Sequence, residues 1–290
     1  RRKSMADHLQ YPQGDYVPTV VERALALSRS YGEDIATAAV VPENDRTRVR
    51  FIASQDGAIC GIPVAREVLK QVLGEYDLHL RVADGTKFTA GTPILELSGN
   101  TRGLLEAGDL CLWFLSHLSG ITTKTAQWAE ALSQTKLVVR DTLSVTPNLG
   151  ELEKYAVRVG GGMTSRLGIG SFPLVRATHL HLGSGLGDVM NHVRAAAAGS
   201  PIQVEIDQVQ DLDPLLKMRV ELLTLRGFSP EQATLAADHR DTLNPGTLLE
   251  VSGDVSLEEA AAYGDCGVDY LALDGLTDCV TPLPIKMEFV

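Results

Sequence analysis

Two periodicities alternate along this chain. Apolar positions recur at helical spacing over 18–30 (PTVVERALALSRS) and 63–74 (PVAREVLKQVLG), each with a proline near the first turn. Shorter stretches alternate as strands do. These are Arg48–Ala53, before a turn at Asp56-Gly57, and Leu78–Val82 and Pro93–Leu97 around the turn-rich ADGTKFTAGT. Together they predict an α+β domain over about the first 105 residues. A helical stretch from Gly103 to His117 follows. Gly120 and the Thr122-Thr123 pair are expected to break it before a restart through Leu132.

The rhythm then changes. Strands are predicted at 136–140, 174–175, 201–206, 220–225, 247–251 and 268–273, and helices at 149–159, 186–198, 229–239 and 256–263. Strands alternating with helices imply parallel pairing and right-handed crossovers, as in a β/α barrel or a barrel missing a unit. The tail, 282–290, reads as a strand that returns to the first domain.

Composition narrows the partners. Lys plus Arg number 26 and Asp plus Glu 37, a net charge of −11. That excludes nucleic acid and anionic membrane as main partners, because both need a basic footprint. Apolar residues make up 44% of 290, enough for a sizeable core in one or two domains. No apolar run reaches the roughly 18–20 residues of a membrane span. The basic start, Arg1-Arg2-Lys3-Ser4, lacks the apolar stretch of a signal peptide, and Met5 reads as a native start. Cys60, Cys111, Cys266 and Cys279 are scattered without metal spacing, which fits reduced thiols in a cytoplasmic protein and no protein-held metal.

A parallel barrel binds its ligand at the C-terminal ends of its strands. That rule selects Asp141, Thr142 and Ser144, then Gly160-Gly161-Gly162 and Arg166, then Arg176 and His179, Glu205, Arg226, Ser252-Gly253-Asp254, and Asp274-Gly275. Plainer readings stand beside these. The three glycines can be a turn, Arg166 a surface ion pair, Glu205 a solvated carboxylate, and Ser252-Gly253 a turn rather than a phosphate loop. His179 and His181 alternate, so one of them is expected to face the site. Gly183-x-Gly185-x-Gly187 lacks the preceding strand of a dinucleotide fingerprint.

LEKYAVRVGGG (152–162), with LSHLSGITT (115–123) and DT..TP (141–147), closely resembles the quinolinate phosphoribosyltransferase family. YGEDIATAAVVP, SQDGAICGIPVAREVL and LLEVSGDVSLEEAAAYGDCGVDYLAL extend the resemblance over nearly the whole chain. It implies an N-terminal α/β sandwich, residues 1–115 joined by a C-terminal strand at 280–290, plus an incomplete α/β barrel over 116–279. It also implies a homodimer or larger homo-oligomer, with the site at the barrel mouth completed by the neighbouring subunit. The implied reaction joins quinolinate to phosphoribosyl pyrophosphate with Mg²⁺, releasing pyrophosphate and carbon dioxide.

At the implied site this chain departs from the family pattern. The family's DTRKT reads Asp141-Thr142-Leu143-Ser144-Val145, and its His-Arg pair reads Ser165-Arg166. KDNH reads Arg176-Ala177-Thr178-His179, and the Arg of ERT aligns with Asp109. Glu205 matches a carboxylate near the ribose, while the Asp of LLDN aligns with Arg226. SGG reads Ser252-Gly253-Asp254, and a phosphate-contacting Gly aligns with Asp274. Of five basic groups expected around quinolinate, only Arg166 and Arg176 remain, and Arg226 is expected to pair with Asp254 or Asp274. The catalytic set is therefore Glu205, Arg166 and Arg176, with Asp141, Thr142, Ser144, Ser165, His179, Arg226, Ser252, Gly253, Asp254, Asp274 and Gly275 around the substrate. The expectation is phosphoribosyl transfer to a pyridine-type or other aromatic acid in a repurposed pocket, the usual quinolinate activity being disfavoured. The alternatives are an enzyme acting on a less anionic nucleoside or pyridine metabolite, and an inactive binding or scaffold homologue.

Overall fold

The computed structural model describes residues 11–183 and 185–290, so the basic N-terminal stretch and Met5 lie outside the described residues. The chain forms two compact units. Among the described residues one holds 11–126, 145–161 and 276–290, and the other 127–144 and 162–275. The division falls near 126 rather than 115, and residues 145–161, expected in the barrel, cluster with the first unit.

In the first unit α1 (Tyr16–Arg29) and α2 (Ile35–Val40) precede β1 (Arg46–Ala53) and β2 (Gly57–Ala58). Then come α3 (Ile62–Val72), β3 (Asp77–Leu80), β4 (Lys87–Phe88) and β5 (Pro93–Asn100). The long α4 (Thr101–Ala131) crosses into the second unit, where β6 (Val138–Arg140) begins the barrel. The chain returns to the first unit for α5 (Gly150–Val159). The barrel continues with β7 (Leu174–Val175), α6 (Ala177–Leu182), α7 (Leu186–Ala197), β8 (Gln203–Ile206) and α8 (Leu212–Lys217). It ends with β9 (Leu222–Arg226), α9 (Pro230–Leu243), β10 (Leu248–Ser252), α10 (Ala260–Gly264) and β11 (Tyr270–Ala272), before β12 (Ile285–Phe289).

The first unit's main sheet runs β12-β1-β5-β3 and is antiparallel throughout. Val49, Phe51 and Ala53 of β1 are buried while the residues between them are not, the period-2 pattern that set the strand prediction. β12 pairs with β1 from Val49↔Phe289 to Ala53↔Ile285, so the tail returns as expected. Beside the sheet, α1 packs on α3. The Asp84 carboxylate caps α3 by accepting the N–H groups of Gly61 (3.1 Å) and Ile62 (3.0 Å).

The expected break at Gly120 and Thr122-Thr123 does not occur, and α4 is continuous over Thr101–Ala131. A Cβ at Gly120 would lie 2.5 Å from the Thr281 carbonyl oxygen, so this glycine serves a close crossing of the 280–283 segment. The Thr122 hydroxyl donates to the Ala156 carbonyl (2.9 Å), and that of Thr123 accepts from the Ala58 N–H (2.9 Å). The Thr125 hydroxyl donates to the Ile121 carbonyl within the helix (2.8 Å). Packing and satisfied hydroxyls override the local helix-breaking tendency.

In the second unit six parallel strands run β6-β11-β10-β9-β8-β7. A parallel bridge between Arg140 and Met163 sets one more segment beside β6, so this is the barrel missing a unit. Its core is aliphatic, with Val139, Val204, Ile206, Leu223, Leu225, Leu249, Val251 and Leu271 at 1% exposure or less. α9 starts at a capping box, Ser229 with Gln232, and α10 is regular only over Ala260–Gly264, shorter than expected.

Candidate active site

The parallel register brings the C-terminal strand ends to one level. Arg226 pairs with Ser252, Ser252 with Ala272, and Ala272 with Arg140. The loops leaving this edge carry the selected residues, and they fall into separate groups.

Arg166 and Arg176 form the first. Arg166 is 7% exposed, and its Nη1 donates to the Ile169 carbonyl at 3.4 Å. Burial, and after it the like charge of Arg176, push the Arg166 guanidinium below its ordinary range. An arginine stays charged regardless, so both effects favour an entering anion. Arg176 is exposed at the start of α6, where its N–H donates to His179 Nδ1 (3.0 Å). That Nδ1 is therefore the unprotonated nitrogen. His179 and His181 lie on a helix, not a strand; two residues along a helix turn about 200°, so the two side chains still leave nearly opposite sides of it.

Glu205 and Arg226 form the second group. Glu205 aligns with Thr224 across the β8–β9 pair, two residues before Arg226, so all three side chains share a sheet face. The Arg226 guanidinium lies 3.5 Å from the Glu205 carboxylate. The partner expected for Arg226 was Asp254 or Asp274; the register hands it Glu205 instead.

Asp274 gathers the third group. It follows β11 and accepts the hydroxyls of Thr142 and of Ser144 (3.0 Å), which lie on the loop after the neighbouring β6. Gly275 continues the same turn. Asp141 is fully buried and structural: its N–H donates to the Met163 carbonyl (3.1 Å), and its carboxylate accepts the N–H of Ser165. Ser252, Gly253 and Asp254 form the tip after β10, where the Ser252 carbonyl accepts the Gly227 N–H (2.8 Å). The glycine run 160–162 acts as a turn. A Cβ at Gly160 would come 2.6 Å from Thr125, and Gly161 has φ +89°.

Beneath the mouth lies a buried network that the sequence did not single out. Glu250 accepts from Arg140 Nη1 (2.6 Å), Gln203 Nε2 (3.0 Å) and the Thr224 hydroxyl (2.9 Å). The Arg140 guanidinium also stands 5.2 Å from the Tyr270 ring centre. A period-2 count of polar residues inside otherwise apolar strands marks Gln203, Thr224 and Glu250; that was the available signal.

Among the described residues no group of three or more His, Cys, Asp or Glu side chains could hold a metal. No helix among the described residues is long and apolar enough to cross a membrane.

Comparison with known proteins covers both units. Residues 34–119 match the quinolinate phosphoribosyl transferase N-terminal domain, and residues 121–288 its C-terminal domain. A nicotinate-nucleotide pyrophosphorylase [carboxylating] of Mycobacterium leprae is 40% identical over 276 residues, 94% of this chain and 97% of that protein. A probable enzyme of that name from Synechocystis is 28% identical over 84% of this chain and 83% of its own. The structure of the nicotinate-nucleotide pyrophosphorylase from Francisella tularensis superposes with a TM-score of 0.89 at 25% identity, covering 98% of this chain and all of that one. The chain belongs to the quinolinate phosphoribosyltransferase family.

Proposed function

We propose that the chain transfers a phosphoribosyl group from phosphoribosyl pyrophosphate to a pyridine carboxylate, quinolinate being the first acceptor. The carrying observation is the 40% identity to the Mycobacterium leprae enzyme across 94% of the chain. It weighs for the reaction that enzyme is named for, and against the repurposed pocket expected from the substituted motif positions.

In this reading Arg166 and Arg176 take an acceptor carboxylate. Their shared charge and the burial of Arg166 make an anion there favourable. Glu205 faces the ribose, where a carboxylate binds hydroxyls and offsets the positive charge that develops as the bond to pyrophosphate breaks. Ser252 and Gly253 offer a strand tip for phosphate oxygens. Glu205 or Asp274 would hold Mg²⁺, whose charge would offset that of the diphosphate. We further infer a homo-oligomer, to be checked by sedimentation.

A second reading, an acceptor with one carboxylate, has its own observation. Asp274 holds both Thr142 and Ser144, so that side of the mouth offers hydroxyls and an acid rather than a second cationic clamp. One assay separates the readings. Pyrophosphate and carbon dioxide release are followed with quinolinate and with a panel of monocarboxylic pyridines, on protein from a host lacking its own enzyme. Turnover with quinolinate supports the first reading, and turnover with a monocarboxylate alone supports the second. No turnover with any acceptor overturns both and leaves a non-catalytic homologue.

A further inference from the structure

A cavity of about 340 Å³ opens on the first unit, lined by none of the strand-end residues of the barrel. That is the size of a small-molecule site. One wall is a single face of α3, where Pro63, Arg66, Glu67 and Lys70 follow the i, i+3, i+4, i+7 spacing. The rest of the lining comes from the start of α1 and the stretch before it, Tyr11 and Pro18 among them, and from Tyr76 beyond α3. The walls are tied together. Gln71 Nε2 on α3 donates to the Pro18 carbonyl (3.0 Å) and to the Glu67 carboxylate (2.9 Å). The Tyr11 ring stands edge-on to Tyr155, centres 5.1 Å apart, and the Tyr155 hydroxyl donates to Asp84 (2.9 Å), which caps α3. The cavity is therefore preformed.

Its polar groups are unevenly committed. Glu67 is engaged by Gln71 and by Lys70, whose Nζ lies 3.2 Å away. Arg66 is exposed and has no hydrogen-bond or ion-pair partner among the described residues. An unengaged guanidinium beside a cavity favours an anion, most of all in a chain of net charge −11 where cations are the scarcer sign. The hydroxyls of Tyr11 and Tyr76 also make no hydrogen bond among the described residues. Burial, and after it the charge of Asp84, push the Tyr11 phenol up, so it stays a donor at neutral pH.

We propose that this cavity binds a small aromatic phosphate of mononucleotide size. The ring packs among Tyr11, Tyr76 and the prolines, and the phosphate lies on Arg66, whose planar fork meets two of its oxygens at once. Lys70, four residues on along the same helix face, supplies a second cation, because its exposed pair with Glu67 holds it weakly. Two cations on one face suit a phosphate better than a single carboxylate. Nothing covalent happens here, and the site stands apart from the proposed reaction.

The probe is adenosine monophosphate, titrated calorimetrically into the whole chain, with adenosine and inorganic phosphate as the ring-only and anion-only controls. Wild type should bind the monophosphate more tightly than either control. Arg66→Ala is expected to weaken binding about ten- to a hundred-fold, the loss of one charged contact. Arg66→Lys should fall between, since a lysine keeps the charge and loses the fork. Tyr76→Ala should weaken the monophosphate and adenosine alike and leave inorganic phosphate unchanged. Arg166→Ala, which alters the barrel mouth, should leave the affinity as it is. Equal binding by wild type and Arg66→Ala, loss of binding in Arg166→Ala instead, or no binding by wild type overturns the proposal. Arg66-dependent binding without phosphoribosyl transfer leaves this site standing and defeats only the proposed reaction.

Discussion

Replacing Arg140 with methionine tests whether the polar interior of the barrel is a working unit of the fold. Methionine keeps the length and apolar stem but removes the guanidinium. Glu250 then retains Gln203 and Thr224 as donors at 3.0 and 2.9 Å and loses its countercharge at 2.6 Å. The two side chains are 2% and 4% exposed, so water cannot replace the lost partner. Breaking a buried pair from one side costs about 3–5 kcal/mol. At about 2–4 °C per kcal/mol for a body of this size, Tm falls by about 6–20 °C. Calorimetry and urea titration measure it. The double variant Arg140→Met, Glu250→Leu should be less destabilised than the sum of the singles, because both charges leave together. An Arg140→Met variant within about 1 kcal/mol of wild type, or a double variant as costly as that sum, would show that the pair does not hold the barrel interior together.

Other outcomes follow from the same physics. Gly120→Ala should destabilise by about 1–3 kcal/mol, although alanine favours helices by about 1 kcal/mol, because the new Cβ meets the Thr281 carbonyl; thermal melting decides the sign. Burial pushes the Glu153 carboxyl up, but His117 Nε2 at 2.7 Å and the Thr146 N–H at 2.8 Å outweigh it and hold it below its ordinary range. Its contribution is therefore present above the ordinary value of 4.5 and lost as pH falls through the lower folded value; Glu153→Gln should flatten that acid limb in denaturation measured from pH 7 to 3. Of the four thiols only Cys279 is exposed, while burial raises Cys60 and lifts Cys111 to about 12. Native protein should react with one equivalent of a thiol reagent, and Cys279→Ser with none.

The sequence carried the fold further than the site. Strands such as Arg46–Ala53 and helices such as Ile62–Val72 announce themselves by period and by a proline in the first turn. α4 was misjudged because Gly120 and Thr122 look like breakers alone, and become packing devices only once the 280–283 segment and α5 are set against them. Which strand ends meet at the mouth is legible, since parallel β/α topology fixes which end carries the loops. The partners of the residues there were not legible. Arg226 chose Glu205 because of a two-residue register offset between β8 and β9, a long-range fact. The Glu250 network was missed because its members were read one at a time as strand residues. Pairing joins Gln203, Thr224, Glu250 and Arg140 across four strands.

The proposed activity is phosphoribosyl transfer through Arg166 and Glu205. Its most direct measurement is acceptor-dependent pyrophosphate release from phosphoribosyl pyrophosphate and Mg²⁺, comparing wild type with Arg166→Ala and Glu205→Gln. Wild type should release pyrophosphate steadily with quinolinate or a related pyridine acid. Each variant should fall about ten- to a hundred-fold or more, with folding intact by circular dichroism. Wild-type release no greater than that of the two variants would contradict it.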